Sequence, residues 1–270
     1  MSGCAVITGA GGLLGRAMAV AFAREGRDIV LADIDATKLA GAVQAVEREG
    51  RLAHAVVTDV SDPAAMDRLA EEAWTRLGRV DRLCLNAGLA ILKPFPELTR
   101  ADWDKVMGVQ WNGVLNGVLS FVPRLIEQGG DRHIVIVSSM SGVGRADLRQ
   151  LNAPYVTAKF ACAGLAETMG PALAEHGIGV SLLCPGMTVA NPEAMKGTTW
   201  PMASAAWYQD NLLDSDQVAA EVMAGIAEKR FYIFPHRAGR QEVLDRHARL
   251  MEGFDQAEKT SPPLQPSAAS

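Results

Sequence analysis

Positive charge is in short supply. Lysine and arginine total 26 against 31 aspartates and glutamates, a formal net charge of −5. No Lys/Arg run or stripe occurs, so the electrostatic footprint of a nucleic-acid or anionic-membrane partner is missing. Cysteine is scarce too: Cys4, Cys84, Cys162 and Cys184 stand singly in apolar runs. They lack the close pairs of a metal site and the density of a secreted disulfide scaffold, and read as reduced, buried thiols. The histidines, at 54, 133, 176, 236 and 247, have no metal-ligand spacing and no carboxylate cluster joins them, so no metal is assigned. No apolar run approaches a bilayer-spanning length, and MSGCAVITG has neither a basic leader nor a cleavage site. A cytoplasmic protein without membrane contact is therefore expected.

What is present is core-forming material. With 49% hydrophobic and 21% charged residues, the chain can bury a sizeable core without disulfides. Short apolar, β-branched runs (AVIT, IVLA, HAVV, RLCL, HIVIVS, GVSLL, FYIF) alternate with helical candidates near 13–25, 36–49, 63–77, 100–127, 154–176, 215–229 and 239–253. Strands apolar throughout imply burial on both faces, and β-α-β alternation forces parallel pairing with right-handed crossovers. The expectation is an α/β, doubly wound Rossmann-type fold, a seven-stranded parallel sheet with helices on both faces and a ligand crevice at the strands' carboxyl ends. It would form one domain over 1–254, followed by a mobile C-terminal tail, 255–270, rich in Pro, Ser, Ala and Gln. Residues 187–213, long and rich in Met, Trp and Pro, follow a strand's carboxyl end and read as a substrate lid.

The first strand runs into TGAGGLLGRA, placing Gly9, Gly11, Gly12 and Gly15 around the start of a helix near Leu13 and Leu14. Glycines let the backbone approach a pyrophosphate, and a helix N-terminus offers free N–H groups and partial positive charge. The second strand ends in LAD, so Asp33, followed by Ile34, would accept hydrogen bonds from the adenosine ribose hydroxyls. A carboxylate there repels a 2′-phosphate, and no Lys or Arg comes before Lys38, so NAD is preferred over NADP. Asp59 and Val60 after the third strand, and Asn86, Ala87 and Gly88 after the fourth, lie at the same sheet edge and join the cofactor-binding candidates. Their plainer readings are a helix N-cap, for which Asp62 is the better candidate, and a tight turn.

In PYVTAKFACAG, Tyr155 and Lys159 are four apart and share one helix face. An ammonium beside a phenol favours phenolate, which brings the tyrosine toward use as an acid and base near neutrality. Taken with TGAGGLLG, LAD, TDV, LNAG, IVSSMSG and LCPG in order, the chain from residue 4 to about 250 resembles the compact branch of the short-chain dehydrogenase/reductase family. The resemblance implies that Tyr155 is the acid/base, that Lys159 assists it and holds the nicotinamide ribose, and that Ser139 hydrogen-bonds the substrate oxygen. It also implies that Pro185 and Gly186 flank the nicotinamide, with Thr188 near its carboxamide. A secondary alcohol and a ketone would be interconverted by hydride transfer, and the long helices would pair the chain into a homodimer or homotetramer. Met140, Ser141, Met187, Met195, Trp200 and Trp207 are the substrate-side candidates, for a small-molecule substrate of hydrophobic or aromatic character. An NAD-binding protein with little turnover, or an epimerase or dehydratase with bound NAD, are the alternatives.

Three departures stand out. Leu13 replaces a glycine common in the compact branch; the interval from Ser139 to Tyr155 is longer than usual, leaving Ser138 and Ser141 as weaker candidates; and VQWNGV carries Gln110 where the family has an asparagine that breaks the helix and ties a water to the lysine. Gln110 and Asn112 both fall in an otherwise apolar segment, and buried amides require partners. Gln110 is expected at the relay position, with Asn112 packing or capping the helix.

Overall fold

The computed structural model describes residues 3–144, 146–148, 151–193, 211–235 and 237–260. Seven parallel strands form one sheet: β1 (Cys4–Thr8), β2 (Asp28–Asp33), β3 (Ala53–Val57), β4 (Arg82–Leu85), β5 (Arg132–Val137), β6 (Ile178–Leu183) and, last in the chain, β9 (Tyr232–Ile233). Their order is β3-β2-β1-β4-β5-β6-β9, and every pairing is parallel. The order reverses between β1 and β4, which opens a crevice at their carboxyl ends.

The alternation of side chains along the strands builds two cores. Ala5 and Ile7 of β1 face one way, with the apolar stripes of α1 (Leu13–Arg24), α2 (Ala36–Arg48) and α7 (Ser215–Ala227). Val6 faces the other, with α3 (Pro63–Leu77), α5 (Gly113–Gln128) and α6 (Ala153–Ala174). Strands sandwiched between helical layers are buried along their length, as β1, β4 and β5 are, with the polar residues Thr8, Arg82, Arg132 and His133 confined to strand ends. Edge strand β3 departs from the expectation of burial on both faces: it has one neighbour, and Val57 is 62% exposed. The ends of several helices obey local rules. Asp62 caps α3 through a 3.0 Å bond from the Ala64 N–H, and Thr99 with Asp102 forms a capping box on α4 (Arg100–Met107).

Two expected elements differ in extent. The helix anticipated over 100–127 is broken: a π-helical turn, Gly108–Asn112, separates α4 from α5. Its wider winding admits an extra residue and turns Gln110 inward. The last helix, α8 (Arg240–Thr260), runs past 253 and takes in the first part of the expected tail, because DQAEKT is composed largely of good helix formers; 261–270 lie outside the described residues. A two-strand pairing, β7 (Thr188–Val189) with β8 (Leu213–Asp214), brackets the segment expected as a lid. Among the described residues no helix is long and apolar enough to cross a membrane.

Candidate active site

A cavity of about 1100 Å³ opens along the carboxyl edge of the sheet, at the upper end of ligand-pocket sizes. At one end lies the glycine loop. Gly9 has φ +65°, and a Cβ there would stand 2.7 Å from the Ala87 Cα; at Gly15 it would stand 2.2 Å from the Gly9 carbonyl oxygen. Only hydrogen fits at either position, so the loop presents bare backbone. Helix α1 begins behind it with Gly12 as N-cap and no side-chain cap, leaving first-turn N–H groups facing the cavity. Asn86 lines the cavity and also braces the loop: its amide donates to the carbonyls of Thr8 (2.9 Å) and Gly9 (3.2 Å). Thr8 Oγ1 accepts from the N–H groups of Asn86 and Ala87 at 2.9 and 3.1 Å, so β4 braces the loop on β1.

Asp33 stands at the end of β2. Its two carboxylate oxygens accept from Gly11 N–H and Asp35 N–H, each at 3.0 Å, which fixes the carboxylate and leaves lone pairs free for hydroxyl donors. Gly11 is the one member of the expected loop set that does not line the cavity; it sits behind, holding Asp33. Ile34 is exposed on the wall, and Asp59 accepts from Ser61 N–H and Oγ at 2.9 and 2.7 Å, beside Val60. The bare loop, the uncapped helix and the anchored carboxylate fit a dinucleotide: pyrophosphate at α1, ribose hydroxyls at Asp33.

Further along the cavity, Ser139, Tyr155, Lys159 and Gln110 come together. Lys159 is 3% exposed; its ammonium donates to the Val137 carbonyl at 2.7 Å and lies 5.4 Å from the centre of the Tyr155 ring. The Tyr155 hydroxyl makes no hydrogen bond among the described residues. Ser139 Oγ accepts from Ser141 N–H at 3.1 Å and donates only weakly, at 3.5 Å, to the Pro185 carbonyl, so it is placed for exchange to a stronger acceptor. Ser138 instead donates to the Lys159 carbonyl at 3.0 Å and serves the packing of α6 against β5.

Gln110 is 2% exposed. Its Nε2 donates to the Leu89 carbonyl at 2.6 Å, while Oε1 is buried without a partner. Its main-chain carbonyl accepts from Cys162 Sγ at 3.4 Å. Asn112, expected as a second buried amide, is exposed and makes no cap hydrogen bond. Two residues on from Gln110 the helix has turned about half-way round, so Asn112 faces outward.

Pro185, Gly186, Met187, Thr188, Ala87, Gly88 and Ser141 line the cavity beside these groups. Met140 is on the wall, but its side chain packs under Gly239, where a Cβ would come within 2.2 Å of Cε. It is chiefly core. Met195, Trp200 and Trp207 lie outside the described residues. Sequence reading passed over Leu89, Ala90, Leu92 and Asn152, which also line the cavity. Leu89 serves through its backbone, which carries no residue signal, and an asparagine just before Ala-Pro at a helix start reads as an ordinary cap. Burial pushes the thiols of Cys84 and Cys184 up to about 12 and raises that of Cys162, which makes them poor nucleophiles. Among the described residues no group of three or more His, Cys, Asp or Glu side chains could hold a metal ion.

Together these features define a doubly wound α/β protein with a dinucleotide cradle and a Ser-Tyr-Lys constellation at one sheet edge. The model of the short chain dehydrogenase family matches residues 3–199. The C alpha-dehydrogenase of a Sphingobium species is 34% identical over 258 residues, covering 90% of this chain and 83% of that one. The 1-deoxy-11-beta-hydroxypentalenate dehydrogenase of Streptomyces exfoliatus is 32% identical over 246 residues, covering 89% and 86%. A short chain dehydrogenase/reductase from Burkholderia phymatum, solved in complex with NAD, superposes with a TM-score of 0.80 at 33% identity over 98% of both chains. The chain belongs to the short chain dehydrogenase family.

Proposed function

We propose that this protein is an NAD(H)-dependent oxidoreductase that interconverts a secondary alcohol and a ketone, with Tyr155 as the acid/base. The observation that carries the reading is the meeting, in one cavity, of the anchored Asp33 carboxylate at one end and the Tyr155–Lys159 pair with Ser139 at the other. NAD, when bound, supplies the hydride acceptor or donor. Gly9, Gly12, Leu13, Leu14 and Gly15 hold its pyrophosphate, Asp33 the adenosine ribose, Lys159 the nicotinamide ribose, and Pro185, Gly186 and Thr188 the nicotinamide end.

The chain's own residues handle the proton and the geometry. Tyr155 Oη takes the alcohol proton during oxidation and returns it during reduction. The Lys159 ammonium, held by the Val137 carbonyl, lies 5.4 Å from the centre of the Tyr155 ring and keeps positive charge beside the reacting hydroxyl. Ser139 Oγ gives up its long contact to Pro185 and donates to the substrate oxygen, fixing the reacting carbon. Gln110 replaces the family's asparagine in the relay: Oε1, buried and unpartnered, accepts a hydrogen bond from a water that Lys159 also holds. The apolar wall from Leu89 to Leu92 and Met187 supports a hydrophobic or aromatic substrate. The exposed Leu119 and Ile126 on α5 support pairing into a homodimer or homotetramer, and the four free, buried cysteines support a reducing, cytoplasmic location.

Incubation with NAD and a panel of secondary alcohols tests this reading. Ketone and NADH are expected in equal amounts. Stoichiometric NADH binding with no oxidation across the panel would refute it.

A further inference from the structure

Asn152 is the N-cap residue of α6, three positions before Tyr155. Asparagine is among the best N-cap residues because its side-chain oxygen accepts from first-turn N–H groups. Here it makes no such bond. Its Oδ1 is instead buried without a partner, and the residue forms part of the wall of the catalytic cavity.

The placement is enforced from outside the helix. The Lys93 N–H holds the neighbouring Leu151 carbonyl at 2.7 Å, and the Lys93 ammonium is locked on both carboxylate oxygens of Asp102 at 2.8 and 3.0 Å. The backbone next to Asn152 is thus pinned to the segment that carries Leu89 and Leu92, which also line the cavity. An acceptor sealed from water in a pinned wall is costly unless a donor arrives to meet it. Two residues of the cavity wall carry a buried, unpartnered carboxamide oxygen: Gln110, proposed above for the proton relay, and Asn152, which has no such task.

We propose that Asn152 determines substrate specificity: its Oδ1 accepts a hydrogen bond from a second hydroxyl of the substrate, two or three bonds from the reacting carbon. Positions three apart at a helix start are neighbours, about 5–6 Å between Cβ atoms, which suits a 1,2- or 1,3-diol or the matching hydroxyketone. The inference rests on Tyr155 as the acid/base, because that residue fixes where the reacting carbon lies. A site built to pair a substrate hydroxyl rejects the analogue that lacks it, since the partner is then left buried and unpaired.

The test uses matched alcohols, 1-phenylpropan-1-ol against 1-phenylpropane-1,2-diol and 1-phenylpropane-1,3-diol, with the full chain and NAD. At least one diol is expected to exceed the mono-alcohol about tenfold or more in kcat/KM. Asn152→Ala should erase that preference, and Asn152→Asp, which keeps an acceptor oxygen, should restore part of it. Asn152→Ala lowering kcat/KM by the same factor for all three alcohols, or a wild type without preference, would overturn the proposal. Thermal stabilisation of the NAD-bound Tyr155→Phe variant supplies a readout without turnover. Stabilisation by a diol that the mono-alcohol does not give, and that is lost when Asn152→Ala is added, supports the proposal; equal stabilisation by both alcohols, or none, contradicts it. If no alcohol is oxidised while diol-selective stabilisation persists, the oxidoreductase reading fails and the Asn152 subsite stands.

Discussion

Replacing Gln110 with the shorter asparagine of the family tests whether this site is fitted around the longer amide. The Gln110 amide reaches the Leu89 carbonyl at 2.6 Å. Removing one methylene withdraws it by about 1.5 Å, to about 4 Å, beyond hydrogen-bond range. The amide nitrogen is then buried and unpaired and the part-buried Leu89 carbonyl loses its donor, at about 1–3 kcal/mol each at most, reduced by whatever the π turn can relax. A net loss of about 2–4 kcal/mol is expected, which for a domain of this size lowers Tm by roughly 4–16 °C. Calorimetry at pH 7 measures it directly. Because Oε1 is withdrawn along with the nitrogen, kcat measured well below Tm should also fall, by about tenfold or more. A Gln110→Asn protein that melts within about 1 °C of wild type and keeps its rate would refute the fitted-amide account.

Two further predictions concern pH and the cofactor. Burial, followed by the nearby Arg82 guanidinium, pushes the His133 imidazole down to about 4. The folded value lies below the unfolded one, so this group's contribution is complete above about 6.5 and is lost as pH falls toward 4. Urea unfolding at pH 6.5 and pH 5 should differ by about 2 kcal/mol from this residue, and His133→Gln should flatten that slope; an unchanged slope would dismiss the assignment. Asp33→Ala should weaken NADH binding and relax discrimination against NADPH in fluorescence titrations, by about 1–3 kcal/mol for the charge-assisted hydrogen bonds lost. An unaltered preference would remove Asp33 from the ribose site.

Where the sequence signal is local and its physics compulsory, reading and structure agree. Buried central strands must be largely apolar, so β1, β2, β4, β5 and β6 stand out in the sequence, while edge strands β3 and β9 are legible from their β-branched and aromatic residues; parallel pairing follows from the helices between them. The glycine loop is legible because a Cβ at Gly9 or Gly15 would strike backbone, a constraint only glycine meets. Helical spacing brings Tyr155 and Lys159 to one face, but such a pair is common on helices and only its place in the ordered set of motifs marks it. The π turn at Gly108–Asn112 is not legible, since its residues suit an α-helix equally well and only the packing of Gln110 under Gly88 and Leu89 selects the wider winding. Asn112, expected to pack or cap, does neither: two residues from Gln110 is about 200° around an α-helix, so it faces away from the site in either winding and is exposed. Asn152 escaped notice because its cap-like sequence context conceals a side chain that makes no cap bond.

The central claim is that Tyr155 moves the proton while other residues hold the cofactor. Tyr155→Phe removes one oxygen from a hydroxyl that makes no hydrogen bond among the described residues, so the fold should be preserved. Paired measurement of NADH dissociation constant and kcat on an accepted alcohol tests it most directly. The account predicts binding within about threefold of wild type and turnover reduced by about 10²–10⁴-fold or more. A phenylalanine variant that turns over at a rate near wild type would contradict it.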